Sequence, residues 1–257
     1  MSIAKDLAGQ LLHALHGGPL LPPISPLLDG DIDRAYAVQD ALVALRLERG
    51  ERIVGKKIGL TSAAVQQQLG VDQPDYGVLF NTMDCSSTGS LSFSALQQPK
   101  VEGELAFVLG ADLLNPECTM EQLVDAIKEV RASIEIVCSR IENWNIKIAD
   151  TVADNASASH FILGQDALPL TALDPAAVQM TLWRGQDLVS KGSGAACMGN
   201  PLNAALWLAR KMAHMGRPLL RGEVILSGAL GPMHTVAPGE EIRLEVDGFE
   251  PVEIRFE

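Results

Sequence analysis

The run Val101-Glu102-Gly103-Glu104-Leu105-Ala106-Phe107-Val108-Leu109 has the apolar texture of a buried strand, yet it carries two glutamates. Side chains alternate along a strand, so Glu102 and Glu104 share one face, which continues as Ala106 and Val108. A third glutamate, Glu135, interrupts a second apolar run, Ser133-Ile134-Glu135-Ile136-Val137. Buried carboxylates are tolerated only when paired, protonated or bound to a metal, and close like charges raise each other's pKa. Any fold of this chain that buries these positions must therefore pair, protonate or metallate them. An isolated Glu-x-Glu pair ordinarily lies on a solvated strand face. Here a second apolar run with its own glutamate shifts the reading towards metal ligation by Glu102, Glu104 and Glu135. Oxygen donors without a nearby His or Cys favour a hard ion, Mg2+ or Mn2+.

Around these runs the sequence reads as α+β. Ile3, Leu7, Leu11, Leu12 and Leu15 follow helical spacing up to the breakers Gly17 and Gly18, and a proline-rich segment from Pro19 to Pro26 interrupts regular structure. Helical periodicity resumes from Asp31 to Arg49, so residues 1–50 are expected to form a helical N-terminal lobe. Residues 51–257 are expected to form a β-rich catalytic domain carrying the metal site. Its strand-like runs are 53–60, 101–109, 133–138, 161–163, 178–183, 224–226, 242–246 and 252–256. Short helices are expected at Thr61–Leu69, at Thr119–Val130 behind a Thr119/Gln122 capping box, and at Pro201–Met215 behind Asn200. Strands and helices do not alternate regularly, which argues against Rossmann and barrel folds.

Charge and cysteine usage exclude several classes. With 257 residues and a formal charge of -12, the chain would repel a phosphate backbone, and its longest basic cluster, Arg52 to Lys57, is broken by Ile53, Val54 and Gly55. No nucleic-acid partner is expected. No window reaches eighteen uninterrupted apolar residues, so no membrane span is expected either. Cys85, Cys118, Cys138 and Cys197 form no Cys-x-x-Cys pair, and the first residues do not read as a signal peptide. A cytoplasmic chain with reduced thiols is the expectation.

Other constellations are less decisive. Lys56 and Lys57 point to opposite sides of their strand, so one is expected to snorkel to water while the other points inward. Asp72 and Asp75 fall in a Pro-containing turn, where aspartates ordinarily cap backbone. The polar run Asp150 to Ser159 suits either an Asx-rich turn or the wall of a polar-ligand pocket. The small residues of Ser227-Gly228-Ala229-Leu230-Gly231-Pro232 permit close backbone approach to a ligand, which makes Gly228 a candidate substrate contact. Gly192-Ser193-Gly194-Ala195-Ala196-Cys197 lacks the lysine and the surroundings of a phosphate loop, and the five histidines show no ligand spacing.

Read in order, Lys57-x-Gly59-Leu60-Thr61, Gln66 to Gly77, Glu102-x-Glu104 with Glu135, Asp150 to Ser157, and Leu226-x-Gly228-Ala229-Leu230-Gly231-Pro232-Met233 resemble the 2-keto-4-pentenoate hydratases of the fumarylacetoacetate hydrolase superfamily. The resemblance implies that superfamily's mostly-β core with a helical N-terminal part, and Mg2+ or Mn2+ held by Glu102, Glu104 and Glu135. It places Lys57 and Asp75 at the catalytic site and Ser157 on the pocket wall. It implies metal-dependent hydration of 2-hydroxypenta-2,4-dienoate to 4-hydroxy-2-oxopentanoate in meta-cleavage degradation of aromatic compounds. Homo-oligomers are implied too, with association with a homologous decarboxylase or a downstream aldolase as an option. The alternatives are decarboxylation of 2-oxo-3-hexenedioate, hydration of the seven-carbon diacid, and a non-catalytic subunit stabilising a decarboxylase. The carbon-carbon hydrolases of the superfamily usually carry a His well ahead of the Glu-x-Glu pair, and this chain has none between His16 and His160.

Overall fold

The computed structural model describes residues 2–62, 66 and 73–257. Helix α1 (Ile3–Leu15) buries Leu7, Leu11 and Leu12. Helix α2 (Ile32–Glu48) starts where the Asp31 carboxylate accepts the backbone N–H groups of Asp33 and Arg34 at 2.8 and 3.1 Å. The two helices bury a shared stripe, including Leu7, Leu11, Val38 and Leu42, and that cluster is completed by Ile141, Ala149 and Val152 from much later in the chain.

Twelve strands lie among the described residues: β1 (Ile53–Gly59), β2 (Asp75–Phe80), β3 (Ser90–Leu91), β4 (Lys100–Leu109), β5 (Ile127–Val137), β6 (Ala158–Leu163), β7 (Gln179–Arg184), β8 (Asp187–Ser193), β9 (Val224–Leu226), β10 (His234–Thr235), β11 (Glu241–Val246) and β12 (Val252–Phe256). Helix α3 (Met120–Ala126) joins β4 to β5, α4 (Ile148–Ala153) lies between β5 and β6, and α5 (Pro201–His214) between β8 and β9. One sheet runs β2-β1-β9-β4-β5-β6, with β10 also on β4; the other runs β3-β12-β11-β7-β8. Among the described residues no helix is long and apolar enough to cross a membrane.

The main core draws on both sheets, with Leu105, Phe107, Ile134 and Ile136 from the first and Leu182 and Leu244 from the second. Gly103 lies on this face of β4, where a Cβ would press into the Leu244 side chain. Alternation therefore sends Glu102 and Glu104 to the opposite face. There Ala106 continues the stripe into a separate cluster with Val78, Ala158 and Leu226.

Several local expectations change. The helix expected over Thr119–Val130 has its capping box but ends at Ala126, and Ile127 opens β5 by pairing with Leu109. Asp75, expected in a turn, begins β2, whose six residues are all buried. Strands β2, β3, β8 and β10 are additions to the sequence reading. The first half of the polar run at 150–159 is helical, because Asp150 accepts the Lys147 N–H at 2.8 Å and closes the first turn of α4. The expected helix at Thr61–Leu69 and the position of Asp72 lie outside the described residues, apart from Thr61, Ser62 and Gln66.

Candidate metal centre and its surroundings

Register brings the three glutamates together. β4 and β5 are antiparallel neighbours in which Glu102 stands opposite Glu135 and Glu104 opposite Ser133. Directly opposed residues share a face, so all three carboxylates meet on one side of the sheet, with one oxygen from each within 4.8 Å of the others. Glu104 and Glu135 are fully buried and Glu102 is 8% exposed. Glu104 Oε2 accepts the Gly228 N–H at 2.9 Å, whereas Glu104 Oε1 and both Glu135 oxygens accept no hydrogen bond.

Lys57 supplies the nearest positive charge, with Nζ 3.2 Å from Glu135 Oε1. On the β1–β2 ladder Lys57 pairs with Gly77 and Gly59 with Asp75, which puts all four on one face. Gly59 has no side chain to spare: a Cβ would overlap Asp75 Oδ1 and stand 3.5 Å from Lys57 Nζ. The missing side chain is what lets the Asp75 carboxylate fold over β1 towards Lys57. Neither lysine of the 56–57 pair snorkels, contrary to expectation. Both are buried, and Lys56 Nζ instead pairs with Glu223 at 3.2 Å.

The charge balance shows in the ionisation of the cluster. Burial, then Glu135, push Glu102 up to about 7 against the pull of Lys57. Burial, then Glu135 and Glu102, drive Glu104 well above the usual carboxylate range. Burial also raises Asp75 to about 6, with Lys57 opposing. For Lys57 burial works against the ammonium, but Glu135, Asp75, Glu102 and Glu104 outweigh it and the pKa rises. One ammonium thus faces four carboxylates in a dry site. A divalent cation fits this donor set, because it would engage the orphaned oxygens of Glu104 and Glu135 and relieve the repulsion between Glu102 and Glu135.

The turn packed against β2 is built from strained backbone. Asn155, Ala156 and Ser157 have φ of 55°, 51° and 56°, three consecutive non-glycine residues in the left-handed region. That conformation costs about 1–2 kcal/mol per residue, less for Asn, and persists only where surroundings enforce it. Asp154 anchors one side by accepting the Arg140 N–H at 2.8 Å and its Nε–H at 2.5 Å. On the other, Cys138 N–H donates to Ser157 O at 2.9 Å. The Ser157 hydroxyl lies 3.2 Å from that of Thr151. Asp150 Oδ1 also accepts the N–H groups of Ile24 and Ser25 at 2.6 and 2.7 Å, tying the segment after α1 to the helix that leads into this turn. A cavity of about 500 Å3 opens beside Asp75, with Tyr36, Gln73 and Lys211 in its lining.

The structure thus brings together Lys57, Asp75, Glu102, Glu104 and Glu135, while Ser157 lies buried at the end of the turn that packs against β2. Gly228 sits at φ 107°, pressed against Thr61, and its N–H is committed to Glu104. Gly59, Gly77, Asn155 and Arg140 were not singled out from the sequence. The two glycines stand two residues after Lys57 and Asp75, and that spacing is the available signal.

The C-terminal domain pattern of the fumarylacetoacetate hydrolases matches residues 53–257. The chain is 49% identical over 256 residues to 2-keto-4-pentenoate hydratase 1 of Dechloromonas aromatica, covering 99% of this chain and 97% of that protein. It is 46% identical over 254 residues to the 2-keto-4-pentenoate hydratase of Paraburkholderia xenovorans, covering 98% and 94%. Among solved structures it resembles 4-oxalocrotonate decarboxylase from Pseudomonas putida G7, complexed with magnesium and adipate. The TM-score is 0.95 at 31% identity, covering 99% of this chain and 97% of that one. The chain belongs to the fumarylacetoacetate hydrolase family, alongside 2-keto-4-pentenoate hydratase and 4-oxalocrotonate decarboxylase relatives.

Proposed function

We propose that the protein hydrates 2-hydroxypenta-2,4-dienoate to 4-hydroxy-2-oxopentanoate, with Mg2+ or Mn2+ held by Glu102, Glu104 and Glu135. The observation that carries the reading is the buried triad itself, three convergent carboxylates with three orphaned oxygens and a single ammonium for compensation. When bound, the cation supplies Lewis-acid charge that stabilises negative charge developing on the substrate's 2-oxygen.

The remaining work falls to the chain's own groups. Hydration requires a proton delivered to C5 as the 2-hydroxyl gives up its own, and water added at C4 with the proton that this water sheds balanced by one delivered to C3. Asp75, raised to about 6, is poised to exchange protons near neutral pH, and general acid-base help of this kind is worth roughly 10²- to 10⁴-fold. Lys57 stays protonated between Glu135 and Asp75, so its charge orients Asp75 without its acting as a base. Ser157 offers a hydroxyl for orienting water or substrate, and burial keeps bulk water from competing. Gly228 contributes by bracing Glu104 through its N–H.

The second reading, decarboxylation of 2-oxo-3-hexenedioate, is favoured by the 4-oxalocrotonate decarboxylase likeness; the 46–49% identity to hydratases ranks hydration first. Offering purified protein the five-carbon dienoate and the six-carbon diacid, while following ultraviolet absorbance and carbon dioxide, tests the ranking. Hydration of the first without carbon dioxide from the second supports the hydratase; the reverse pattern overturns it. Assembly into homo-oligomers, association with a homologous decarboxylase or downstream aldolase, and a place in the degradation of aromatic ring-cleavage products complete the proposal.

A further inference from the structure

Strand β2 carries Asp75 but lies at the edge of its sheet, with β1 as its only ladder partner among the described residues. Its free edge is nevertheless held. Asn155 Oδ1 accepts the Val78 N–H at 2.8 Å, and Asn155 Nδ2 donates to Val78 O at 2.9 Å. One side-chain amide thus satisfies both backbone groups of a strand residue, as a neighbouring strand would. The face of β2 that carries Asp75 is cut away to admit the same turn. Gly77 has no side chain, and a Cβ there would overlap Asn155 O and lie 3.3 Å from Ala156 Cβ. Gly77 shares its face with Asp75 and, across the ladder, with Lys57.

Asn155 is also the first of the three left-handed residues that end at Ser157. Asparagine tolerates that region better than most residues, and here its side chain spends its hydrogen bonds on β2 rather than on its own turn. The same residue therefore fixes the strand that presents Asp75 and the turn that presents Ser157. Asn155 is 2% exposed, and its side-chain hydrogen bonds go to Val78 rather than to the glutamate triad. It is outside the cation's ligand set and inside the geometry of proton transfer.

We propose that Asn155 is a positioning residue, an amide clamp that holds Asp75 and Ser157 at a fixed separation across the substrate. The inference rests on the assignment of Asp75 and Ser157 to the reaction made above. A displacement of about 1 Å in such groups costs on the order of 10²-fold in rate. The clamp thus acts on kcat and leaves cation binding alone.

The test uses full-length protein with saturating Mg2+, comparing N155D, N155G and D75N with the parent chain. N155D keeps the shape and the left-handed tolerance but, once ionised, cannot donate to Val78 O; N155G keeps only the backbone tolerance. Four quantities are read: kcat, KM, Mg2+ affinity by calorimetry, and deuterium incorporation at C3 and C5 of the product in heavy water. Both Asn155 variants are expected to lose about 10²-fold in kcat, with KM and Mg2+ affinity within about 3-fold of the parent, because proton delivery is mispositioned while the ligands stay in place. Full kcat in N155D, with D75N inactive, overturns the clamp and leaves the assignment of Asp75 standing. Full activity in D75N overturns that assignment itself. A parallel collapse of Mg2+ affinity and kcat in N155D marks a merely structural residue and also overturns the clamp. If N155G does not fold, N155D decides.

Discussion

Glu102 and Glu135 stand directly opposite one another on adjacent antiparallel strands, on a face closed to water. Like charges at such a pair destabilise a sheet unless something of opposite sign lies between them. E102Q removes one of them. Metal-free E102Q is expected to melt higher than the metal-free parent, because the repulsion among Glu102, Glu104 and Glu135 is relieved. Its divalent-cation affinity falls by more than the roughly 10- to 100-fold typical of losing a residue that only supports a ligand. Differential scanning calorimetry in chelator, paired with cation titration, checks both; a lower melting point in chelator contradicts the electrostatic reading.

Lys57 lies 3.2 Å from Glu135 and competes with a cation for the same charge. K57M is expected to cut kcat by roughly 10²- to 10⁴-fold while cation affinity holds or rises. Without the cation, K57M leaves Glu135 uncompensated, and breaking a buried pair in this way costs about 3–5 kcal/mol. A variant that loses cation affinity and retains kcat contradicts this role.

Asp75, as the proposed proton acceptor, is expected to set the acid side of the pH profile. Its pKa is raised to about 6 by burial against the lowering effect of Lys57, and a nearby cation pulls it lower. As the ionised proton acceptor it is active above its pKa, so kcat/KM is expected to fall as pH drops through about 6 or below. D75N removes that limb along with most of the activity. An unchanged limb in the residual activity of D75N assigns it to another group.

The metal-free protein is expected to lose stability as pH rises. Glu102 goes from 4.5 to about 7 on folding and Asp75 from 3.8 to about 6, both raised by burial first. Between roughly pH 4 and 7 the folded chain therefore holds more protons than the unfolded one, so this contribution is full below the unfolded values and is lost as pH climbs through the folded ones. Melting points in chelator at about pH 5 and about pH 7.5 give the sign, and saturating Mg2+ is expected to flatten the difference. A metal-free protein that gains stability across this window contradicts it.

The triad is legible in the sequence because the strand period is two and carboxylates inside apolar runs admit few explanations. Its convergence is not, since the Glu102–Glu135 register depends on where β5 begins. Helical spacing runs on past Ala126 through Ile127 and Val130, and only the pairing of Leu109 with Ile127 ends the helix there. Asp75 reads as a turn residue because Pro74 and Gly77 flank it; the strand becomes visible once Gly77 is seen to make room for Asn155. α4 spans six residues, too few for periodicity to show, and its start depends on Asp150. The polar run at 150–159 holds a turn of helix and a left-handed turn together, and no local rule divides them.

The most direct measurement follows the ultraviolet absorbance of freshly generated 2-hydroxypenta-2,4-dienoate with parent protein and E104Q, before chelation, after it, and after Mg2+ is restored. Loss of hydration on chelation, recovery with Mg2+, and no recovery in E104Q are the predicted results. Undiminished hydration by the chelated parent or by E104Q would contradict a cation-dependent role for the buried glutamates.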